Sequence, residues 1–389
     1  MLAATAIVAT VVLGAQTWHK AFRPGGNDFT SYLLSARALW DGQSPYGLDT
    51  PFPYLYPLFL AFVLIPLAAL PYGAAVVAWF AASVAALRAV LVESAFRRIA
   101  DGGPRSAELA IAATILITFN VIQNNLLNGQ VNFFVLLCCV LAVKQRREAA
   151  AGAWLGAAIA LKLMPALLVV YFLVRRQFRA VLVAGITALV LALAPALLLD
   201  GPAGSLESGF SRIAGIYSGY ARELLVPMMT TPVNVTLAYS VASVVQRVPG
   251  VGPALWLDVF CALAVLGVIV AVDLRTWRRR GADLAAAAAY LVAIVLVSPK
   301  SETHHLAFAI PAVALCFGWL FAQSDRGATL VRLAGSGPPE RGHYVLLSSA
   351  ALVAAPFTGA AEGPMITAAM ILLIAAVTQL PTSCIQQQA

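Results

Sequence analysis

Time and again this sequence runs for roughly 14 to 22 residues with almost no charged side chain, the length a helix needs to cross a hydrocarbon layer about 30 Å thick. The runs are continuous and rich in Leu, Ala and Val. They do not alternate with a period of two, so the pattern selects helices over a barrel. Composition agrees: 61% of the 389 residues are hydrophobic and 11% charged, against about 45–50% and 25% in soluble domains. A water-soluble globule is excluded. The fold class is all-α, a polytopic membrane protein built as a helical bundle.

The formal net charge of +8 invites a nucleic-acid reading. The basic residues, however, form short clusters between apolar runs with no aromatic interleaving, the pattern of cytoplasmic loops rather than of a nucleic-acid surface. The clusters are Arg97, Arg98 and Arg105; Lys144, Arg146 and Arg147; Arg175, Arg176 and Arg179; Arg275, Arg278, Arg279 and Arg280; Arg326, Arg332 and Arg341. Placing all five inside makes 150–161 and 163–174 a hairpin of short helices that turns at Lys162 near the outer face. The inferred spans are about 2–18, 73–94, 107–123, 131–143, 150–161, 163–174, 180–199, 254–273, 283–298, 304–322, 343–359 and 365–380. That is about 12 transmembrane helices with both termini inside, in a single membrane domain: a module over about 1–200, then helices over about 254–380.

Residues 57–70 read as a helix lying at, or dipping into, the outer interface, because counting them as a crossing would put Arg97 and Arg98 outside. The first run has no basic residue before it, so a cleaved signal peptide competes with a span. In either case residue 19 onward starts outside. Cys138, Cys139, Cys261 and Cys316 fall inside apolar runs and Cys384 in the tail, so neither a disulfide framework nor a zinc spacing follows.

The outer loops, 19–72 and 200–253 with small turns near 124–130, 162–165 and 298–304, carry Trp, Tyr, Asn, Asp and Pro. The inner loops are Arg-rich connectors, so chemistry is expected outside. Neither GxGxxG nor GxxxxGK[ST] is present, which argues against ATP as the energy source.

Within the first outer loop, Asp28 follows Gly25 and Gly26 and precedes a helical pattern. It reads either as an N-cap or as a general base at the mouth of an outer cavity, with Tyr32 and Arg37 on nearby helical positions. Gly42 ends that helix, and Tyr46 begins an extended turn toward Tyr54 and Tyr56. Further on, Asn124, Asn125, Asn128, Gln130 and Asn132 place amides at bilayer depth, where they serve a hydroxyl-rich ligand or helix packing. Of four lysines against 21 arginines, Lys20, Lys162 and Lys300 fall on the outer side. They suit a compact grip on phosphate, or simply snorkel. In the cluster around Ser298, Ser301 and Glu302, the neighbouring His304 and His305 project to different faces. One of them contacting an anionic phosphate, or the acidic base, fits better than a metal that both would hold.

Taken in order, Asp28-x-x-x-Tyr32, Gly42-x-x-Pro45-Tyr46, Tyr56-Pro57-Leu58, Asn128-Gly129-Gln130-x-Asn132, Gly152 with Lys162-x-x-Pro165, and Ser298-Pro299-x-Ser301-x-x-His304-His305 resemble glycosyltransferase family 87. These are polyprenol-phosphate-mannose-dependent α-mannosyltransferases of the GT-C superfamily, acting on phosphatidylinositol mannosides and lipomannan. The resemblance covers most of residues 28–310. It implies a GT-C bundle whose first outer loop holds an acidic catalytic residue beside a groove for a lipid-phosphate sugar.

On that reading Asp28 is the base, and His304 or His305 is the histidine at the donor site. Lys162 and Lys300 join them on the phosphate by charge and depth. Tyr32, Arg37, Tyr46, Asn128, Gln130 and Asn132 line the substrates. The expected partners are a polyprenyl-phosphate-mannose donor, a glycolipid acceptor and the lipid bilayer; no cofactor, metal or nucleic acid is expected. The site would face outward from the plasma membrane. Two departures touch acceptor choice: Thr303 stands before the His pair where a bulkier residue is expected, and Pro232, Val233 and Asn234 replace an Asn-Gln-Ser-like stretch. A transferase using another polyprenyl-phosphate sugar, such as arabinofuranose, competes with this reading. So does a secondary transporter, although no repeated halves are visible.

Overall fold

The computed structural model describes residues 2–50, 52–95, 103–196, 206–222, 226, 238–252, 254–280, 284–298, 300–324, 341–354 and 362–378. Arg97, Arg98, Arg326, Arg332, Cys384 and the stretch 232–234 lie outside them. The described residues form helices and turns with no strand. In chain order the helices are α1 (Leu2–Ala21), α2 (Asp28–Trp40), α3 (Leu58–Ala68), α4 (Tyr72–Ala95), α5 (Gly103–Ile117), α6 (Phe119–Asn128), α7 (Asn132–Lys144) and α8 (Glu148–Leu161). After a 3₁₀ turn at Met164–Leu167 come α9 (Leu168–Val174), α10 (Phe178–Leu193), α11 (Leu206–Tyr220), α12 (Val241–Val245), α13 (Leu255–Arg280) and α14 (Leu284–Val297). A second 3₁₀ turn, Thr303–Ala309, leads into α15 (Ile310–Ser324), followed by α16 (Arg341–Ala354) and α17 (Glu362–Thr378).

The bundle is organised around α14. Its run of alanines lets neighbours approach closely, and nearly every residue from Leu284 to Leu296 is buried on all sides, as a helix apolar all round must be. The outward surfaces are apolar too. Trp256 and Phe260 on α13 are 70% and 65% exposed, and Ile7, Val11, Leu182, Ile186 and Leu189 are likewise open. In water such a belt would be an aggregation surface, so its natural solvent is lipid.

Among the described residues three stretches are long and apolar enough to cross a bilayer by themselves: Tyr72–Ser94, Leu255–Arg275 and Thr303–Phe321. Two sequence expectations are corrected here. The span 107–123 breaks at Thr118, where the chain bends by 67° between Ser106–Ile117 and Phe119–Asn128. The supposed turn at 124–130 is helical through Asn128. The hydroxyls of Thr114 and Thr118 donate at 2.7 Å to the carbonyls four residues earlier, a side-chain competition that bends helices.

The chain reverses after Lys162, since the start of α10 lies back beside the start of α8, where the Glu148 carboxylate accepts the Arg179 N–H at 3.1 Å. α7 and α8 are antiparallel, with Asn132 and Lys162 at one end and Lys144, Gln145, Arg146 and Arg147 at the other, separated by about 18 Å of helix. α8 then packs on α10 through Gly152 and Gly156. A Cβ on Gly156 would lie 2.6 Å from the Ala184 carbonyl oxygen, so the small-residue spacing lets the two backbones touch.

Candidate active site

The first turn of α2 decides which residue caps it. Asn27, in extended conformation, is the N-cap: its Oδ1 accepts the Thr30 N–H at 3.3 Å, and Thr30 Oγ1 accepts the Asn27 N–H at 3.1 Å. This capping box replaces the N-cap expected of Asp28, whose carboxylate is left for other partners while it sits in the favourable field of the helix N-terminus. At the far end of α2, Gly42 takes φ 71° and its N–H donates to Leu39, closing the helix as expected.

Asp28 meets α6 and α7 at their junction. Gly129 adopts φ 65°, and a Cβ there would lie 2.6 Å from Phe29 Cβ, so only glycine lets the junction press against α2. Trp79 Nε1 donates to the Gly129 carbonyl at 2.8 Å while stacking on Phe29. Gln130, next in the chain, is thereby aimed at Asp28: its Nε2 donates to Oδ2 at 2.8 Å. Its Oε1 accepts from Tyr56 at 2.9 Å and Tyr32 at 3.3 Å.

From Tyr56 the cluster continues to Lys162, whose ammonium lies 5.2 Å above the ring centroid. Lys162 Nζ donates to Asn132 Oδ1 at 2.8 Å. Asn132 Nδ2 reaches Asn125 Oδ1 at 2.9 Å and the His304 carbonyl at 3.0 Å, and Asn125 Nδ2 donates to that carbonyl at 3.0 Å. Left unpaired, each buried amide would cost about 1–3 kcal/mol, and reciprocal pairing removes that cost. On the other flank Lys20 Nζ donates to Asn128 Oδ1 at 2.5 Å, and Asn128 to Asn124 at 3.1 Å.

Burial pushes the Asp28 carboxyl above its ordinary 3.8; the Gln130 hydrogen bond and the positive fields of Lys20 and Lys162 oppose the rise, and the charge of Glu302 adds to it. Asp28 therefore feels the charges of Lys20, Lys162 and Glu302 together. Among the described residues no three His, Cys, Asp or Glu side chains come together as a metal site would require.

Of the residues singled out from sequence, Asp28, Tyr32, Asn128, Gln130, Asn132, Lys162, His304 and His305 converge. Three do not. Arg37 is exposed about 13 Å further along α2, and its Nε donates to the Ala68 carbonyl at 3.1 Å, tying α2 to α3. Tyr46 stands one layer out, donating to the Tyr56 carbonyl at 2.9 Å and packing on Tyr220. Lys300 is half-buried, and among the described residues it makes none of the hydrogen bonds of this centre.

The structure adds Tyr56, Asn125, Glu302 and Lys20. Lys20 and Asn125 carried a signal in the sequence, as an outer-side lysine and a member of the amide run. Glu302 carried little beyond its place before the His pair. Beside this centre, Tyr239 OH donates to Glu362 at 2.7 Å and lies 2.8 Å from Thr303 Oγ1, linking the first turn of α17 to the His turn.

Comparison with known proteins places these residues in a wider context. The model of glycosyltransferase family 87 matches residues 54–299. That stretch contains Asn128, Gln130, Asn132 and Lys162, whereas Asp28 and the His pair flank it. The chain is 25% identical over 353 residues to a polyprenol-phosphate-mannose-dependent alpha-(1-2)-phosphatidylinositol pentamannoside mannosyltransferase of Mycobacterium tuberculosis, covering 86% of this chain and 76% of the relative. It is 28% identical over 324 residues to a polyprenol-phosphate-mannose-dependent alpha-(1-2)-phosphatidylinositol mannoside mannosyltransferase of Mycolicibacterium smegmatis, covering 74% and 69%. The crystal structure of ArnT from Cupriavidus metallidurans in the apo state superposes with a TM-score of 0.43 at 14% identity, covering 97% of this chain and 76% of that one.

Proposed function

Because the chain belongs to glycosyltransferase family 87, we propose that it transfers mannose from a polyprenyl-phosphate-mannose donor to a hydroxyl of a phosphatidylinositol mannoside or related glycolipid, with a GT-C type of bundle. The donor and acceptor are those in the names of its relatives. The observation that carries the reading is the Asp28 carboxylate, held by Gln130 in a centre that also contains the Lys162 and Lys20 ammonium groups.

A sugar on a lipid phosphate already has a good leaving group. The protein has two tasks: to ease deprotonation of the attacking hydroxyl and to stabilise the departing phosphate. Gln130 occupies Oδ2 of Asp28, leaving Oδ1 to take the acceptor proton as the hydroxyl oxygen attacks C1 opposite the phosphate. The C1–O bond breaks with its electron pair going to phosphate, and a β-linked donor gives an α-linked product in one displacement. Lys162 keeps two of its three N–H donors beyond Asn132 and can face the phosphate oxygens.

The site opens on the extracytoplasmic face of the plasma membrane. Lys144, Arg146 and Arg147 lie at the opposite end of α7 and α8 from Asn132 and Lys162, and such basic ends stay in the cytosol.

The test is radiolabelled mannosyl transfer in membranes. Asp28→Asn preserves size and the Gln130 contact but cannot take a proton, and it is expected to lower kcat by about 10²–10⁴. Unchanged transfer removes Asp28 as the base. Transfer of arabinose alone by the intact protein overturns the donor assignment.

A further inference from the structure

We infer that His305 is a positioning residue that fixes the tautomer of His304, so that His304 presents an uncharged Nδ1–H to a phosphoryl oxygen of the lipid-phosphate donor. The inference rests on the site reading above and identifies which histidine of the pair faces substrate.

His305 is buried in the 3₁₀ turn, and its Nδ1 accepts the Glu302 N–H at 2.9 Å. A ring nitrogen that accepts carries no proton, so the single proton of neutral His305 is on Nε2. That atom lies 3.1 Å from His304 Nε2. Two N–H groups cannot point at each other there, and two lone pairs would repel. His305 Nε2–H therefore donates, His304 Nε2 accepts, and the one proton left to His304 resides on Nδ1.

Both nitrogens of His305 are thus engaged within the protein, whereas among the described residues His304 Nδ1–H has no acceptor at hydrogen-bond distance. Glu302 Oε2 is 3.7 Å away, beyond hydrogen-bond length. The backbone of His304 is also fixed, because its carbonyl accepts from Asn125 and from the same Asn132 that holds Lys162. The imidazole and the ammonium are consequently set at a fixed relation to one another.

A cationic His304 would need a second proton on Nε2, facing His305 Nε2–H, and would break the pair. Neutralisation of the departing phosphate therefore falls to the lysines, and His304 supplies a directed hydrogen bond. It donates that bond without giving up its proton as the diester becomes a monoester.

Histidine ¹⁵N NMR of the full-length protein in micelles tests the tautomers independently of activity. The chain has four histidines, and the signals are assigned by their loss in single variants. Protonated Nδ1 in His304 and protonated Nε2 in His305 near neutral pH are expected. His304 found as the Nε2–H tautomer, or as imidazolium, overturns the inference.

Amide mimics supply the kinetic arm. His304→Asn places an N–H where Nδ1 stood and should reduce kcat by less than about tenfold, while His304→Gln, which mimics Nε2, should reduce it by about 10²–10³, the cost of one lost oxyanion donor. His305→Gln keeps the bond to His304, whereas His305→Phe releases the tautomer and should lower kcat about tenfold with the donor KM little changed. The reverse order at position 304 refutes the assignment. Failure of the site reading itself would appear separately, as full transfer by Asp28→Asn.

Discussion

A carboxylate taken out of water and set beside two ammonium groups has a working pH fixed by its neighbours. As the proposed base, Asp28 must be ionised to accept a proton, so transfer is expected above its pKa and is lost as pH falls through it. Burial raises that pKa above 3.8, and the acid limb of kcat/KM is therefore expected above 3.8. Gln130 opposes the rise through its hydrogen bond. Gln130→Ala should accordingly move the acid limb to still higher pH, and a pH profile of mannosyl transfer measures the shift; a downward move would contradict the role given to Gln130. Stability obeys the same linkage. A folded-state pKa above the unfolded one means that the fold favours protonated Asp28 and loses that preference as pH rises. Asp28→Asn is thus expected to hold or raise Tm at neutral pH while lowering kcat by about 10²–10⁴, a combination that a simple folding defect does not give.

Two contacts between elements position this chemistry. The α6–α7 junction brings Gln130 to Asp28 only because Gly129 both takes a left-handed conformation and leaves room for Phe29. Lys162 reaches Asn132 because α8, held backbone to backbone against α10 through Gly152 and Gly156, ends where it does. Gly156→Val forces a branched side chain into that seam and should destabilise by about 1–3 kcal/mol. The expected readouts are a lower Tm in detergent and weaker transfer, with the acid limb unmoved because Asp28 and Gln130 are untouched. A shifted limb would mean that the α8–α10 contact tunes Asp28 directly.

For the molecule as a whole, the proposed orientation predicts opposite labelling at the two ends of the bundle. Gln43 is exposed just beyond α2, and Arg147 is exposed at the basic end of α7 and α8. In a Cys384→Ser background, a membrane-impermeant maleimide should label Gln43→Cys in intact cells and Arg147→Cys only after lysis. The native Cys138, Cys139, Cys261 and Cys316 are buried or half-buried in helices. The reverse pattern would place Asp28 in the cytosol and end the proposal. Apolar run length, basic clusters and the order of motifs were enough to read helices, the hairpin at Lys162 and most of the polar centre, because each depends on local composition or on neighbours close in the chain. Three-dimensional packing decided the rest. That Asn27 rather than Asp28 caps α2, that the chain bends at Thr118, and that Arg37 turns away while Tyr56, Lys20 and Glu302 join the centre are outcomes of contacts between segments up to about a hundred or more positions apart, whose approach is set by how side chains fill space and satisfy one another's hydrogen bonds.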